Sequence, residues 1–274
     1  MNSQSLKSKI GTKGGWRLLA VATVVFLVIA GIYFDLVPVR ESKQIEQNLI
    51  DRYGWAQQYS SPADGALAAD RIDRFIRVRE SVQTHCAQYR DILDDIIGLD
   101  ALESNEEMSV SEKTSEGMGS FRNMFSAFPK LLKFMEARNT ALLEQEMGLG
   151  EYIYIYFAAY GPQLAAESHS DYAEMEDAFA SPRTIAEFGL ILENQLSALI
   201  DAGNDAETEK MRSQLQQEIG DLKSGTHSSP WPNGPGAKVS ESLSPYGAQL
   251  DRLYCPGVAR IDLLQKNKGF NLEG

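Results

Sequence analysis

The sequence predicts an all-α fold, a single N-terminal transmembrane helix followed by an irregular helical bundle. Three observations predict it. An uncharged apolar run, Leu18–Phe34, follows four cations and no acidic residue. Apolar residues then return at steps of three and four through most of the chain, the period of a helix with one buried face. Only Glu151–Tyr160 has strand character, and a lone strand has no partner for its ladder.

Composition narrows the class further. With 274 residues, 43% hydrophobic and 23% charged, the chain holds one large domain or two small ones. Disorder, collagen and a polytopic membrane protein are excluded. A net charge of -12 and a pI near 4.8 argue against nucleic acid as a partner, because phosphates need clustered cations. Two cysteines are too few for a disulfide scaffold or a four-thiolate zinc site.

The seventeen residues Leu18–Phe34 make roughly 25 Å of helix, near the lower limit for crossing a bilayer. Trp16 and Tyr33 suit its two interfaces. Lys7, Lys9, Lys13 and Arg17 lie before it, which keeps the short N-terminal flank in the cytoplasm and sends the acidic remainder outside. The organisation that follows is a cytoplasmic basic tail over 1–17, a transmembrane anchor over 18–37, a stalk over 38–59 and an extracytoplasmic helical domain over 60–274. The competing reading is a signal peptide cleaved after Ala30, with Val28 and Ala30 as its small residues. No asparagine of the exported part opens an Asn-x-Ser/Thr sequon, which favours a bacterial inner-membrane protein facing the periplasm.

Along the exported part, Glu41–Tyr53 extends the anchor as a stalk, with Ile45, Leu49 and Ile50 on one side. Ser60–Gly65 is a turn. The strongest helical pattern runs over Leu67–Ile97, where Ile72, Phe75, Val78, Val82 and Cys86 recur at helical spacing and no Gly or Pro intervenes. Residues 100–119, rich in Ser, Glu and Gly, read as a mobile acidic loop. Phe121–Gln145 is helical, with Met135, Leu142 and Leu143 inward. Glu151–Tyr160 reads as a buried helix rather than a strand. Ser181-Pro182 opens the next helix as N-cap and first helical residue, and its apolar stripe runs from Ile185 through Phe188, Ile191, Leu192, Leu196 and Leu199 to Ile200. Ala202–Asn204 ends it or turns a hairpin into Asp205–Leu222, a mostly polar surface segment. The Gly- and Pro-rich stretch over about 224–240 reads as a second mobile loop, and a short element over Pro245–Leu264 closes the chain.

Few residues point to chemistry. Cys86 and Cys255 are the only thiols, and outside the cytoplasm they are candidates for a disulfide. Closing so long a loop would add roughly 4 to 5 kcal/mol in the chain-entropy model. The alternative is Cys86 as a small apolar residue on a core helix. Cys86 and His85 are helix neighbours pointing about 100° apart, so they make no Cys–His nucleophile. His169 sits among Glu167, Asp171, Glu174, Glu176 and Asp177, a set that reads as a solvated acidic connection more than a metal loop. A calcium loop from Asp201 fails, because Ala206 and Arg212 stand where Gly and Glu are needed.

Arg71 and Arg74 share a helix face where an anionic partner or lipid headgroup would dock, although salt bridging along the helix is the plainer role. Tyr152, Tyr154, Tyr156 and Tyr160 either line a ligand pocket or pack in the core with hydroxyls reaching the surface. No Gly-x-Ser-x-Gly, Ser-x-x-Lys, His-Glu-x-x-His, phosphate-binding or dinucleotide-binding motif occurs, and nothing calls for a cofactor or a metal.

The expected role is therefore non-enzymatic: a membrane-anchored periplasmic helical protein that binds or scaffolds a protein partner in the cell envelope. The alternatives are a small-ligand or lipid-binding domain built on the tyrosine helix and, third, an enzyme using His169 and carboxylates.

Overall fold

The computed structural model describes residues 40–86, 133–167, 182–202, 205–225 and 229–263. All but the first two of these residues belong to one compact unit, Ser42–Gly274. The apolar segment 18–37, the acidic loop 100–119, His169 and His227 lie outside the described residues. Among the described residues the secondary structure is entirely helical, and no helix is long and apolar enough to cross a membrane.

Helix α1 covers 40–53 and is not a free-standing stalk. Ser42, Glu46 and Leu49 lie one turn apart on its buried face, and Leu49 and Tyr53 join the core. A stalk reading rested on too few apolar residues to reveal this face, because two of its three buried positions are polar. Gly54 ends the helix in the left-handed region (φ 77°), donating its N–H to Ile50 O. A 3-10 turn, Ala56–Gln58, follows and inserts Ala56 against the centre of the fold.

Helix α2, Ala69–Gln83, buries Ile72, Phe75, Ile76, Val78 and Val82, and with them Arg79. A turn at Thr84–His85 closes it, helix resumes at Cys86, and the rest of the expected pattern to Ile97 lies outside the described residues. The Thr84 hydroxyl bonds back to Ser81 O and the His85 amide to Val82 O, tightening the last turn before Cys86. Helix α3 covers 133–144 and buries Phe134, Met135, Arg138, Asn139, Ala141 and Leu142. Glu146 turns the chain in the left-handed region (φ 50°), and Met147 N reaches Leu142 O across the corner.

Helix α4, Leu149–Glu167, is the axle of the molecule. Every residue from Leu149 to Ala158 is buried, so it is apolar all round rather than along one stripe. Against it pack α2, the Ala56–Gln58 turn, helix α5 (Pro182–Ala202) and helix α7 (Ala237–Leu243). A position surrounded on all sides is why its Tyr–Ile alternation mimics a strand: both faces need apolar side chains.

Helices α5 and α6 (Ala206–Ser224) form a hairpin. Asp205 caps α6, accepting from the Glu207 and Thr208 amides, and Gly225 closes it at φ 67°. Leu215, Ile219 and Leu222 are buried on an otherwise polar helix. Ile200, expected in the apolar stripe of α5, is 55% exposed and Leu190 is 45% exposed. The segment over 229–236 is not a free loop: Ser229, Pro230 and Trp231 are buried, and helix begins at Ala237. A 3-10 turn, Ser244–Tyr246, leads into α8 (Gly247–Leu253), the Cys255-Pro256-Gly257 turn and the short α9 (Ala259–Asp262).

Candidate functional site

The arginine row of α2 is satisfied from within. Arg71 grips Glu151 with Nε and Nη2 and also donates to Glu146 O. This paired carboxylate raises its pKa above the ordinary guanidinium value. Arg74 donates from Nη1 to Gln145 O at 3.0 Å and to Glu146 Oε2 at 2.8 Å, holding the Glu146 carboxyl below its usual range. Arg77 bonds Gln145 Oε1. Arg71 and Arg74 therefore clamp α2 to the α3–α4 corner, in keeping with the plainer salt-bridging role, and the alternative anionic docking face is occupied by the chain's own oxygens.

Arg79 lies deeper. Two residues beyond Arg77, on the inner face of the same helix, it is fully buried and pairs with Asp262, and its Nη2 donates to Leu253 O at 3.0 Å. Tyr152 donates its hydroxyl to Asp262 Oδ1 at 2.8 Å and accepts from Arg79 Nη1 at 2.9 Å. The Arg79 guanidinium also lies 5.1 Å from the Tyr156 ring centroid and 5.6 Å from that of Tyr160. Burial opposes its charge, but the Asp262 carboxylate and the surrounding phenols outweigh that and push its pKa up. Arg138, also fully buried, donates to Asp262 O and to Asn139 Oδ1.

The tyrosines divide by helical geometry. Tyr152, Tyr156 and Tyr160 stand four residues apart on the face toward α2, where they cage Arg79. Tyr154 faces away, donating to Gln195 Oε1 and meeting Trp231 edge to face at 5.5 Å. All four are fully buried. Tyr152, Tyr156 and Tyr160 are thus neither a partner surface nor a core set with hydroxyls at the surface: their hydroxyls end inside. The Tyr160 hydroxyl bonds Leu250 O, and that of Tyr156 has no hydrogen-bond partner among the described residues. Burial pushes the Tyr154 and Tyr160 hydroxyls up to about 12.

Cys86 and Cys255 are joined as a disulfide, with Cα atoms 6.0 Å apart. The bridge ties the end of α2 to the turn between α8 and α9, the same two regions that Arg79 links to Leu253 and Asp262. Tyr254 and Gly257 both donate to the Glu167 carboxylate, fastening that turn to the end of α4. Among the described residues no cluster of three His, Cys, Asp or Glu side chains is arranged to hold a metal ion.

An open concave feature among the described residues is a groove of about 360 Å³ between α6 and the segment Trp231–Val239. One face of α6 lines it along nearly the whole helix, from Glu207 through Lys210, Gln214 and Gln217 to Glu218 and Asp221. Tyr154 and Gln195 form its floor, and Asp64 stands at the edge. Trp231 holds the opposite wall in place. Its backbone takes the left-handed conformation (φ 49°), its N–H donates to Glu218 Oε1 at 2.8 Å, and its ring meets Phe188 at 5.0 Å. Gly161 of α4 makes room for this wall, because a Cβ there would lie 2.6 Å from Pro230 O and 2.7 Å from Trp231 O. Lys238 pairs with Glu207 at 3.2 Å, which raises the Lys238 pKa.

The sequence carried few signs of this groove. Its helix looked like plain polar surface and its far wall like a mobile loop, although one large apolar residue among the prolines and glycines, Trp231, was a signal that the segment is anchored. Groups of this kind can bind by charge and by amide hydrogen bonds. Comparison with protein-family models, with curated proteins and with solved structures found no match, so the functional reading rests on the chain's own residues.

Proposed function

We propose that this chain is a membrane-tethered helical domain outside the cytoplasm that binds a protein partner in the bacterial cell envelope. The observation that carries the reading is the joining of the only two cysteines in the sequence, Cys86 and Cys255. Such a bond persists in an oxidising compartment and is reduced in the cytosol. The uncharged run Leu18–Phe34 and its four preceding cations supply the matching route out, with the N-terminus inside and the acidic domain outside. Binding is supported by the groove, whose described lining offers carboxylates, amides and two lysines for charge and hydrogen-bond contacts.

A topology reporter fused after Gly274 tests the location. The expected result is activity from a periplasm-dependent reporter such as alkaline phosphatase. Activity only from a cytosol-dependent reporter overturns it. In-cell crosslinking from the groove should then yield one protein above the background of bulk neighbours.

A further inference from the structure

We infer that the Cys86–Cys255 bond is made and broken through Cys86, the sulfur that an outside thiol or disulfide meets, and that Cys255 resolves the reaction from inside the fold. The two halves of the bond sit in unlike surroundings. Cys86 is half-buried, just after the turn that closes α2, beside exposed Thr84 and half-buried His85. Cys255 is 3% exposed and belongs to the hydrophobic core, together with Leu253, Val258 and Ala259 of its own segment. Thiol–disulfide exchange is an in-line displacement, in which the attacking sulfur approaches opposite the sulfur that leaves. An attacker on Cys86 arrives from the solvent side, because the leaving Cys255 lies inward. An attacker on Cys255 would have to come through close-packed core, which has no room for it.

Cys255 needs no outside help to reach Cys86. Contacts that do not involve the bond fix its segment on both sides. Leu253 O accepts from Arg79 at 3.0 Å, and Asp262 pairs with the same arginine. Tyr254 donates its hydroxyl to Glu167 at 2.7 Å, and the Gly257 N–H donates to that carboxylate at 3.1 Å. Arg79 stands on α2, the helix that leads to Cys86, and the two cysteine Cα atoms lie 6.0 Å apart. Ring closure is then a unimolecular step between groups already in place.

In the oxidising direction the Cys86 thiolate attacks a disulfide, either a small one or that of a thiol–disulfide oxidoreductase, and one sulfur of the oxidant leaves as a thiolate. The Cys255 thiol then gives up its proton, and its sulfur displaces the second oxidant sulfur from Cys86. Two protein thiols are oxidised, and the oxidant's disulfide is reduced to two thiols. In the reducing direction an outside thiolate attacks Cys86 Sγ, and Cys255 leaves and takes up a proton.

The test starts from the oxidised full chain in detergent micelles at neutral pH. Reduced glutathione is the attacking thiol, acid stops the exchange, and mass spectrometry maps the adduct while circular dichroism follows the helices. Glutathione should appear on Cys86, with Cys255 free and helicity intact. Glutathione on Cys255, equal labelling of both, or exchange confined to urea concentrations that unfold the chain overturns the assignment. Single variants read the oxidising direction. Cys255→Ser should take up glutathione from oxidised glutathione at least about tenfold faster than Cys86→Ser while both are folded, since a thiol buried in apolar surroundings is inert. The two rates should converge in urea. Equal rates in the folded chains, or a difference that persists in urea, overturns the proposal. The topology reporter does not depend on this chemistry, so an outside location without exchange at Cys86 removes this assignment alone.

Discussion

At the scale of single residues, the buried charges decide most. Asp262 is the carboxylate that meets Arg79 inside the fold, and it takes the Tyr152 hydroxyl as well. Removing one member of a buried ion pair strands the other, which costs about 3–5 kcal/mol. Asp262→Ala should therefore lower the unfolding free energy from urea titration by that amount, whereas joint replacement of Arg79 and Asp262 by apolar residues of similar volume should recover much of the loss. A finer contrast lies between two tyrosines. Tyr152→Phe deprives Asp262 of a donor and should cost about 1–2 kcal/mol. Tyr156→Phe removes a buried hydroxyl that has no partner among the described residues, so it should be neutral or slightly stabilising in the same denaturation measurement. None of this was legible in the sequence. Arg79 occupies the helical phase of Ile72, Phe75 and Val82, yet an arginine in that phase looks like one more member of a surface row with Arg71, Arg74 and Arg77. The residue that explains it lies 183 positions away.

At the scale of elements, the helices themselves were readable, and their surroundings much less so. Periodicity located α2 through Ile72, Phe75, Val78 and Val82, and Ser181-Pro182 marked the start of α5. Periodicity reports which face is apolar and not how many neighbours an element has, so Tyr152–Tyr160 is legible as a buried helix only because a lone strand has no partner, and α4 is that buried helix. Within the loop expected over about 224–240, the described residues 229–236 are anchored for a related reason. Gly and Pro report local backbone freedom, while the fixed position of this segment comes from Trp231 wedged against Tyr154 and Phe188. Gly161 is the element-scale test of that contact. Gly161→Ala should clash with the Pro230 and Trp231 carbonyls and push the groove wall outward, costing about 1–3 kcal/mol. A red shift of tryptophan emission with helical circular dichroism preserved would mark displacement of the wall; unchanged emission would show that the wall is not held there. The start of α6 gives a pH test. Backbone and side-chain bonds from Thr208 hold the Asp205 carboxyl below its usual value. Its contribution is present above the unfolded carboxylate pKa and fades as pH falls through the lower folded one. Asp205→Asn keeps the acceptor but not the titration, so it should flatten that part of the acid-stability curve.

At the scale of the whole molecule, the all-helical class and the disulfide candidates were within reach of a single sequence. The common dependence of so many contacts on the chain's end was not. The last described segment brings Leu250 O to Tyr160, Leu253 O and Asp262 to Arg79, and Cys255 to Cys86. A closure that joins residues 169 apart confines the unfolded chain strongly. Reduction, or Cys86→Ser with Cys255→Ser, should accordingly lower stability by about 2–5 kcal/mol in urea titration. Alkali should attack the same centre by a different route. Burial raises the hydroxyl pKa of Tyr152, Tyr154, Tyr156 and Tyr160 above the ordinary phenol value near 10, to about 12 for Tyr154 and Tyr160. A raised folded pKa means that the native state holds protons the unfolded chain would release. Stability is then complete below about pH 10 and declines as pH climbs through the folded values near 12. The tyrosinate absorbance of these four side chains should consequently appear together with loss of helical circular dichroism, in one cooperative step. Gradual ionisation near pH 10 with the helices intact would mean that the tyrosine face of α4 is open to water, and the sealed Arg79 cage would be wrong.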